Sequence, residues 1–325
     1  MKGTYRSLAI YGLLLAIATG IGVGMRSAAA RGTAGRSLSG TIRVSGAWAL
    51  YPMMVKWAEE FQKINPRVRI DVSAGGAGKG AADALSGMVD IGMVSRDIHP
   101  EEVRKGGYGV PVVKDAVLAT ANSANPVAKQ LRTQGVRRAT FASLWIEGKP
   151  LTWGQVVGNS RITDRVRVYT RSDACGAADT WAKYLGKAQE DLKGVAVYGD
   201  PGVAEAVRKD KLGIGYNNLN YAYDSKTGRP LPGILVVPID INGNGKLDKA
   251  ESFYDTKVAV LKAIASGAYP SPPARDLFLL TKGRPKGITR DFILWILGDG
   301  QKYVDQAGYI QLPTQKLAKS VALVK

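Results

Sequence analysis

From Thr41 onward the chain alternates short β-branched runs with amphipathic stretches, which restricts it to an α/β fold built on a largely parallel sheet. Residues 41–45 read as a strand, and the segment from Pro52 as a helix with Met54, Trp57, Phe61 and Ile64 on one face. A second strand over 68–72 runs into a glycine-rich turn, 75–80, then a short helix over 81–85 and a strand over 89–94. Pro100-Glu101-Glu102 opens another helix with acids in its first turn. A second unit starts near Asp115, with strands over 116–121, 167–170 and 212–216 and helices over 127–144, 151–157 and 177–185. Past Pro270, residues 275–281 predict a strand recrossing between the units, followed by helices over 291–297 and 300–307. The expected organisation is lobe 1 over 41–115, lobe 2 over 116–274, and a crossing strand and C-terminal helices over 275–325 returning to lobe 1. Two lobes joined by more than one crossing segment make a cleft that suits a small ligand.

The rarest residue types exclude several chemistries. Among 325 residues there is one histidine, His99, and one cysteine, Cys175. No multi-histidine metal site and no intrachain disulfide can form, and a nucleophilic triad has only His99 to build on. His99 precedes Pro100 in a loop far from Cys175, so no catalytic pair is visible and the chain reads as a non-enzyme. Forty-five Lys and Arg against 27 Asp and Glu give +18, which raises the question of a polyanion partner. The basic residues are scattered without interleaved aromatics, so they read as solvated faces, and no nucleic acid is expected.

Residues 1–30 lack acids, carry Lys2 and Arg6 ahead of an apolar run over 8–23, and end in Ala28-Ala29-Ala30. That is the pattern of an export signal cleaved after Ala30, followed by a Gly/Ser/Arg linker over 31–40. The mature chain is then periplasmic, or otherwise extracytoplasmic; an uncleaved amino-terminal membrane anchor is the alternative. No cysteine stands near the cleavage point for lipid attachment.

Three times a strand runs through small residues into a helix: at Ser45-Gly46-Ala47, at Gly75 to Gly80, and at Ser172-Asp173-Ala174-Cys175-Gly176-Ala177. Helix N-termini expose unpaired N–H groups and a positive dipole end, both of which favour anions. The second turn is not a nucleotide loop: Ser73 stands where a P-loop needs its first glycine and Gly80 where it needs Ser or Thr.

Gly46-Ala47-Trp48-Ala49-Leu50-Tyr51-Pro52, Gly76-Ala77-Gly78, Ile91-Gly92 with Ser95-Arg96, Arg171-Ser172-Asp173-Ala174-Cys175-Gly176 and Gly213-Ile214-Gly215-Tyr216 run in order along the chain. Together with Tyr269-Pro270 before Arg275, they resemble the phosphate-binding proteins of bacterial phosphate ABC importers. The resemblance implies a two-lobed periplasmic-binding-protein fold of type II, and a monomer that takes inorganic phosphate or a related oxyanion and hands it to an ABC permease in the membrane. It places the anion among Gly46, Ala47, Trp48, Ala49, Gly76, Ala77, Gly78, Ser95, Arg96, Arg171, Ser172, Asp173, Cys175, Gly176 and Ala177. Arg171 pairs with the anion in this picture, and Asp173 accepts a proton from it. A guanidinium can only donate and an ionised carboxylate only accept, so such a pair favours an oxyanion that keeps an O–H. This chain departs from the pattern at Ala49, Ala77, Cys175 and Ala177, where the family offers hydroxyls. A hydrogen bond to a charged group contributes roughly 1.5–3 kcal/mol, so the ligand is either phosphate held through backbone, Ser95, Arg96, Arg171 and Ser172, or another oxyanion or small organic acid. An extracytoplasmic phosphate-ester enzyme is the more distant alternative.

A second motif is of a different kind. Asp240, Asn242, Asn244, the Lys246 carbonyl, Asp248 and Glu251 fall at positions 1, 3, 5, 7, 9 and 12 of a calcium loop, with Gly245 at its sharp turn. The segment 234–239 reads as a strand, so a structural calcium ion between strand and helix is expected on the second lobe.

Overall fold

The computed structural model describes residues 38–325; the export signal and most of the linker lie outside the described residues. The strands are β1 (Gly40–Gly46), β2 (Val68–Ala74), β3 (Ile91–Val94), β4 (Gly107–Asn122), β5 (Val136–Arg137), β6 (Arg167–Arg171), β7 (Val195–Val197), β8 (Gly213–Asn218), β9 (Ile234–Val236), β10 (Ile239–Asp240) and β11 (Ala274–Lys282). The helices are α1 (Tyr51–Ile64), α2 (Ala77–Ser86), α3 (Pro100–Arg104), α4 (Ala128–Gln134), α5 (Arg138–Trp145), α6 (Trp153–Val157), α7 (Gly176–Leu185), α8 (Gly199–Lys209), α9 (Lys257–Ser266), α10 (Gly287–Leu297) and α11 (Thr314–Val324).

One sheet runs in the order β2-β1-β3-β11-β4-β8-β6-β7, with β9 also on β4. β1 pairs in parallel with β2 and β3, β6 in parallel with β7 and β8, and the central β11 and β4 are antiparallel to their neighbours. Two large apolar cores lie along this sheet, with a small third cluster of Tyr169, Val203, Val207 and Ile234 beside them. One gathers α1, α2, β1–β3, the first half of β4, β11 and the C-terminal helices around Trp57, Phe61, Met53 and Phe292; the other gathers the second half of β4 through Ala274 around Trp145, Trp153, Trp181 and Tyr216. β4 supplies Val110, Val112 and Val113 to the first core and Ala116 to Ala121 to the second, and β11 gives Ala274 to the second and Leu277, Leu279 and Leu280 to the first, so this strand pair is shared by both.

Several boundaries differ from the expected ones for identifiable reasons. β4 begins at Gly107, nine residues before the predicted strand, and carries Pro111 in its run. Pro111 sits opposite Phe278 where the β4–β11 register shifts, a position where the missing N–H is tolerated. The glycine-rich turn is shorter than expected, because α2 starts at Ala77 and takes in Gly78 and Gly80. Gly80 is a packing glycine there: a side chain would meet the Gly46 Cα at 2.7 Å and the Ser45 carbonyl at 2.9 Å. The single helix expected over 127–144 is two, α4 and α5, separated by β5. Instead of a helix over 300–307 there is a 3-10 turn, Asp299–Tyr303, ended by turns. α8 and α11 were not expected, and the helix expected to follow residue 251 begins only at Lys257, as α9.

Candidate ligand cleft

The sheet delivers the turns at the carboxyl ends of β1, β2 and β6 to one place, where helix N-termini from both cores meet. Gly76 caps α2 at φ +94°, and a Cβ there would lie 2.9 Å from both the Ala174 carbonyl and Asp173 Oδ2 of the opposite lobe. Gly78 N–H donates to the Ala174 carbonyl at 3.0 Å, and Gly176 lies hard against the carbonyl and hydroxyl of Ser95. Thus the second and third turns touch directly, while the first packs beneath them. Gly46 accepts from Gly75 and Gly76 N–H, and Ala47 N–H donates to the Met93 carbonyl at 2.9 Å.

Arg171 ends β6 and is the electrostatic centre of this region. Its side chain is fully buried, with Nε and Nη2 donating to the two oxygens of Asp173 at 2.8 and 2.6 Å and Nη1 donating to Asp200 Oδ2 at 2.6 Å. Burial alone disfavours its charge, but Asp200 and Asp173 outweigh that and raise its pKa. Three of its five N–H groups are committed to these carboxylates, leaving two for a ligand. Asp173 is almost as fully used, since Oδ1 also accepts from Gly199 N–H at 3.2 Å. Asp200 is tied to β8, accepting from Asn218 N–H at 2.9 Å on its free oxygen, while its carbonyl accepts from Asn217.

The other expected site residues divide clearly. Ala47, Ala49, Ala77, Cys175, Gly176 and Ala177 are buried in the turns, and the first-turn N–H groups of Gly176 and Ala177 have no carbonyl a turn earlier within α7. Trp48 stands at the lobe boundary, edge-on to Tyr198 at 6.2 Å and beside Gly199, its carbonyl accepting from Tyr221. Ser95 is buried, but Arg96 is engaged with Glu102 through two bonds of 2.9 and 2.7 Å and with the Asp97 carbonyl. Ser172 is exposed, its N–H donating to the Val197 carbonyl, so its side chain does not join Arg171 in the interior. Cys175 caps α7, its Sγ accepting from Ala178 N–H at 3.4 Å. Burial pushes its thiol up to about 12 despite Arg171 nearby, which leaves it unreactive at neutral pH.

Asp200, Asn218, Asp115 and Arg275 belong to this constellation and were missed from sequence. Asp200 had a legible signal: Tyr198-Gly199-Asp200-Pro201 is a fourth strand-to-helix turn of the same type. Arg275 was marked only as part of the family resemblance and Asp115 carried no signal, because their meeting depends on the pairing of β4 with β11, where they are direct partners.

The loop over 240–251 lies apart, on the second lobe. β10 enters it and pairs with β5, but α9 starts only at Lys257, so no helix leaves the loop directly. Asp240 and Glu251 are buried; Asp240 accepts from Gly243 and Gly245 N–H at 2.8 and 2.9 Å and from Arg137, and Glu251 Oε1 accepts from Ile241 and Asn242 N–H. The amides of Asn242 and Asn244 both donate to Asp248 Oδ2 at 2.8 Å, and the Lys246 N–H donates to Asn244. Among the described residues, no three His, Cys, Asp or Glu side chains converge as a metal-ligating group.

Similarity to known proteins bears on the family and the fold. The chain is 25% identical over 283 residues to the phosphate-binding protein PstS of Bacillus subtilis, covering 86% of this chain and 84% of that protein. It is 28% identical over 290 residues to the protein SphX of Synechococcus elongatus, covering 84% and 78% respectively. In fold it superposes on a putative phosphate ABC transporter substrate-binding protein with bound phosphate from Clostridium perfringens, with a TM-score of 0.68 and 20% identity over 84% of this chain and all of that one. An ABC-type phosphate transport receptor from Vibrio cholerae superposes with a TM-score of 0.60 and 18% identity, again over 84% of this chain and all of that one. The family model described as the PBP superfamily domain matches residues 31–300, and with two cores, a shared central strand pair and turns from both lobes meeting at Arg171, the chain belongs to that family.

Proposed function

We propose that this protein is an extracytoplasmic solute-binding protein that captures an oxyanion, inorganic phosphate first among them, and passes it to an ABC permease in the membrane. The observation that carries the reading is the meeting of turns from both lobes beside the buried Arg171–Asp173 pair, with two guanidinium N–H groups and the amides of Gly176 and Ala177 left over for an anion. Relatives named as phosphate-binding proteins, matched over most of their length, support it. No role as an enzyme is assigned: Cys175 is buried with a raised pKa, and His99 contacts Glu101 and Asp179 and not the thiol. Residues 1–30 act as the export signal in this reading, which the mass of the exported chain checks. Among the described residues no helix is long and apolar enough to cross a membrane.

Calorimetry with phosphate, arsenate and sulfate tests capture. Phosphate is expected to bind the wild type, and Arg171→Gln to weaken it by more than about tenfold, since it removes charge-assisted donors. Wild-type protein that binds none of the three anions refutes the reading.

The second part of the proposal concerns the loop over 240–251, to which we assign a structural calcium ion. Asp240, Asn242, Asn244, the Lys246 carbonyl, Asp248 and Glu251 supply hard oxygen donors in the order such an ion requires. The side-chain amides of Asn242 and Asn244 turn their oxygens inward when the ion replaces their bonds to Asp248.

A further inference from the structure

Asp115 is only 1% exposed, and no side chain donates a hydrogen bond to either of its carboxylate oxygens. A buried carboxylate in that condition is strongly disfavoured unless something donates to it. Its neighbour across the β4–β11 ladder, Arg275, is 9% exposed and has one unpartnered atom, Nη1, which stands 3.8 Å from Asp115 Oδ2. The rest of that guanidinium is fixed by both lobes: Nε donates to the Ser95 carbonyl at 3.1 Å and Nη2 to Asn218 Oδ1. Asn218 in turn donates to Asp200, which holds Arg171, so the pair adjoins the cleft through one unbroken chain of bonds. Beside it, Lys257 donates to Asn220 Oδ1, and Asn220 Nδ2 is a further buried atom without a partner.

The separation of 3.8 Å is too long for a hydrogen bond between the two side chains, but it is spanned by one oxygen lying about 2.8 Å from each. Such an oxygen must accept from Arg275 and donate to Asp115, so it must carry a hydrogen. Asp173, to which family resemblance gave the task of accepting a ligand proton, already takes two bonds from Arg171 and one from Gly199. The geometry points to Asp115 and Arg275 as the subsite that reads the hydroxyl of the captured ligand, with Asp115 the specificity-determining acceptor. The ligand class that follows is an oxyanion or small organic acid that retains an O–H at neutral pH, to the exclusion of fully ionised anions. This rests on the capture function proposed above and deepens it.

The test compares hydrogen phosphate with sulfate, which has the same shape and no proton, on wild type, Asp115→Asn and Arg171→Gln, with circular dichroism to establish folding. Wild type is expected to prefer phosphate by at least about a hundredfold. Asp115→Asn turns an acceptor into a mixed donor and acceptor, so it should cut phosphate affinity by about tenfold to a hundredfold while sulfate is unchanged or gains. Arg171→Gln should weaken whatever binding there is without narrowing the preference. Wild type that binds both anions equally overturns the subsite even if Asp115→Asn does not fold, and so does a folded Asp115→Asn that keeps the wild-type preference; in both cases the capture function stands. Wild type that binds neither anion removes the capture function and the subsite with it.

Discussion

Asp115 shows how a single buried group couples the cleft to the stability of the whole protein. Burial raises its pKa to about 6 from 3.8, against the pull of Arg275, the Ala116 N–H and Lys257 and with the help of Asp200. Between about pH 4 and 6 the folded protein therefore holds a proton that the unfolded chain has released. Stability from this residue is fully present below pH 4, falls as pH rises to 6 and is flat above. Glu102, whose pKa is lowered by Arg96 and the His99 N–H in spite of burial, contributes in the opposite sense and weakens on acidification. Urea titrations from pH 4 to 7.5 should thus show wild type gaining on Asp115→Asn as the pH falls through 6; parallel curves would contradict the assignment. The residues that could be read from sequence were those carried by local chemistry. Arg171 and Asp173 sit two apart before a helix, and Gly76 sits where only a left-handed conformation turns β2 into α2. Asp115 and Arg275 are separated by most of the second lobe, and only strand pairing makes them neighbours.

At the scale of elements, those with strong periodicity were the legible ones. α1 has its apolar face and Pro52 in its first turn, and β1, β2, β6 and β8 were placed within a few residues. α8 escaped because it opens on Gly199-Asp200-Pro201-Gly202, residues that read as a loop until a strand is known to precede them. Its capture of Arg171 through Asp200 is the largest consequence of that omission. The loop over 240–251 carries the prediction that belongs here. Bound calcium should raise the melting temperature, a chelator should lower it, and Glu251→Gln should abolish the difference. Melting curves indifferent to the chelator would leave the loop a hydrogen-bonded turn. Oxyanion binding should survive chelation, because Asp240 and Glu251 bond only within their own loop and to Arg137.

At the scale of the molecule, the two lobes meet face to face at glycines, a contact on which the proposed capture depends. Gly176 is the tightest such point, since a Cβ there would lie 2.2 Å from both the carbonyl and the hydroxyl oxygen of Ser95 in the other lobe. Gly176→Ala lies at the first position of α7, where alanine suits the helix, so the fold should persist with little change in melting temperature. The added methyl cannot coexist with the Ser95 carbonyl, so the lobes should stay apart and oxyanion affinity should fall by more than about tenfold. A variant with wild-type affinity and wild-type dimensions in solution scattering would show that this contact is not needed.

The sheet order also sets a timetable. β3 has β1 on one side and β11 on the other, yet β11 is made some 180 residues later in the chain. At about 5–20 residues per second, β3 waits roughly ten to forty seconds after its own synthesis before its second neighbour exists. The second core, contained between Ala116 and Ala274, is complete before that moment, while the first lacks β11, α10 and α11. The lobe that starts first must therefore finish last, and until β11 arrives one edge of β3 has no strand to pair with.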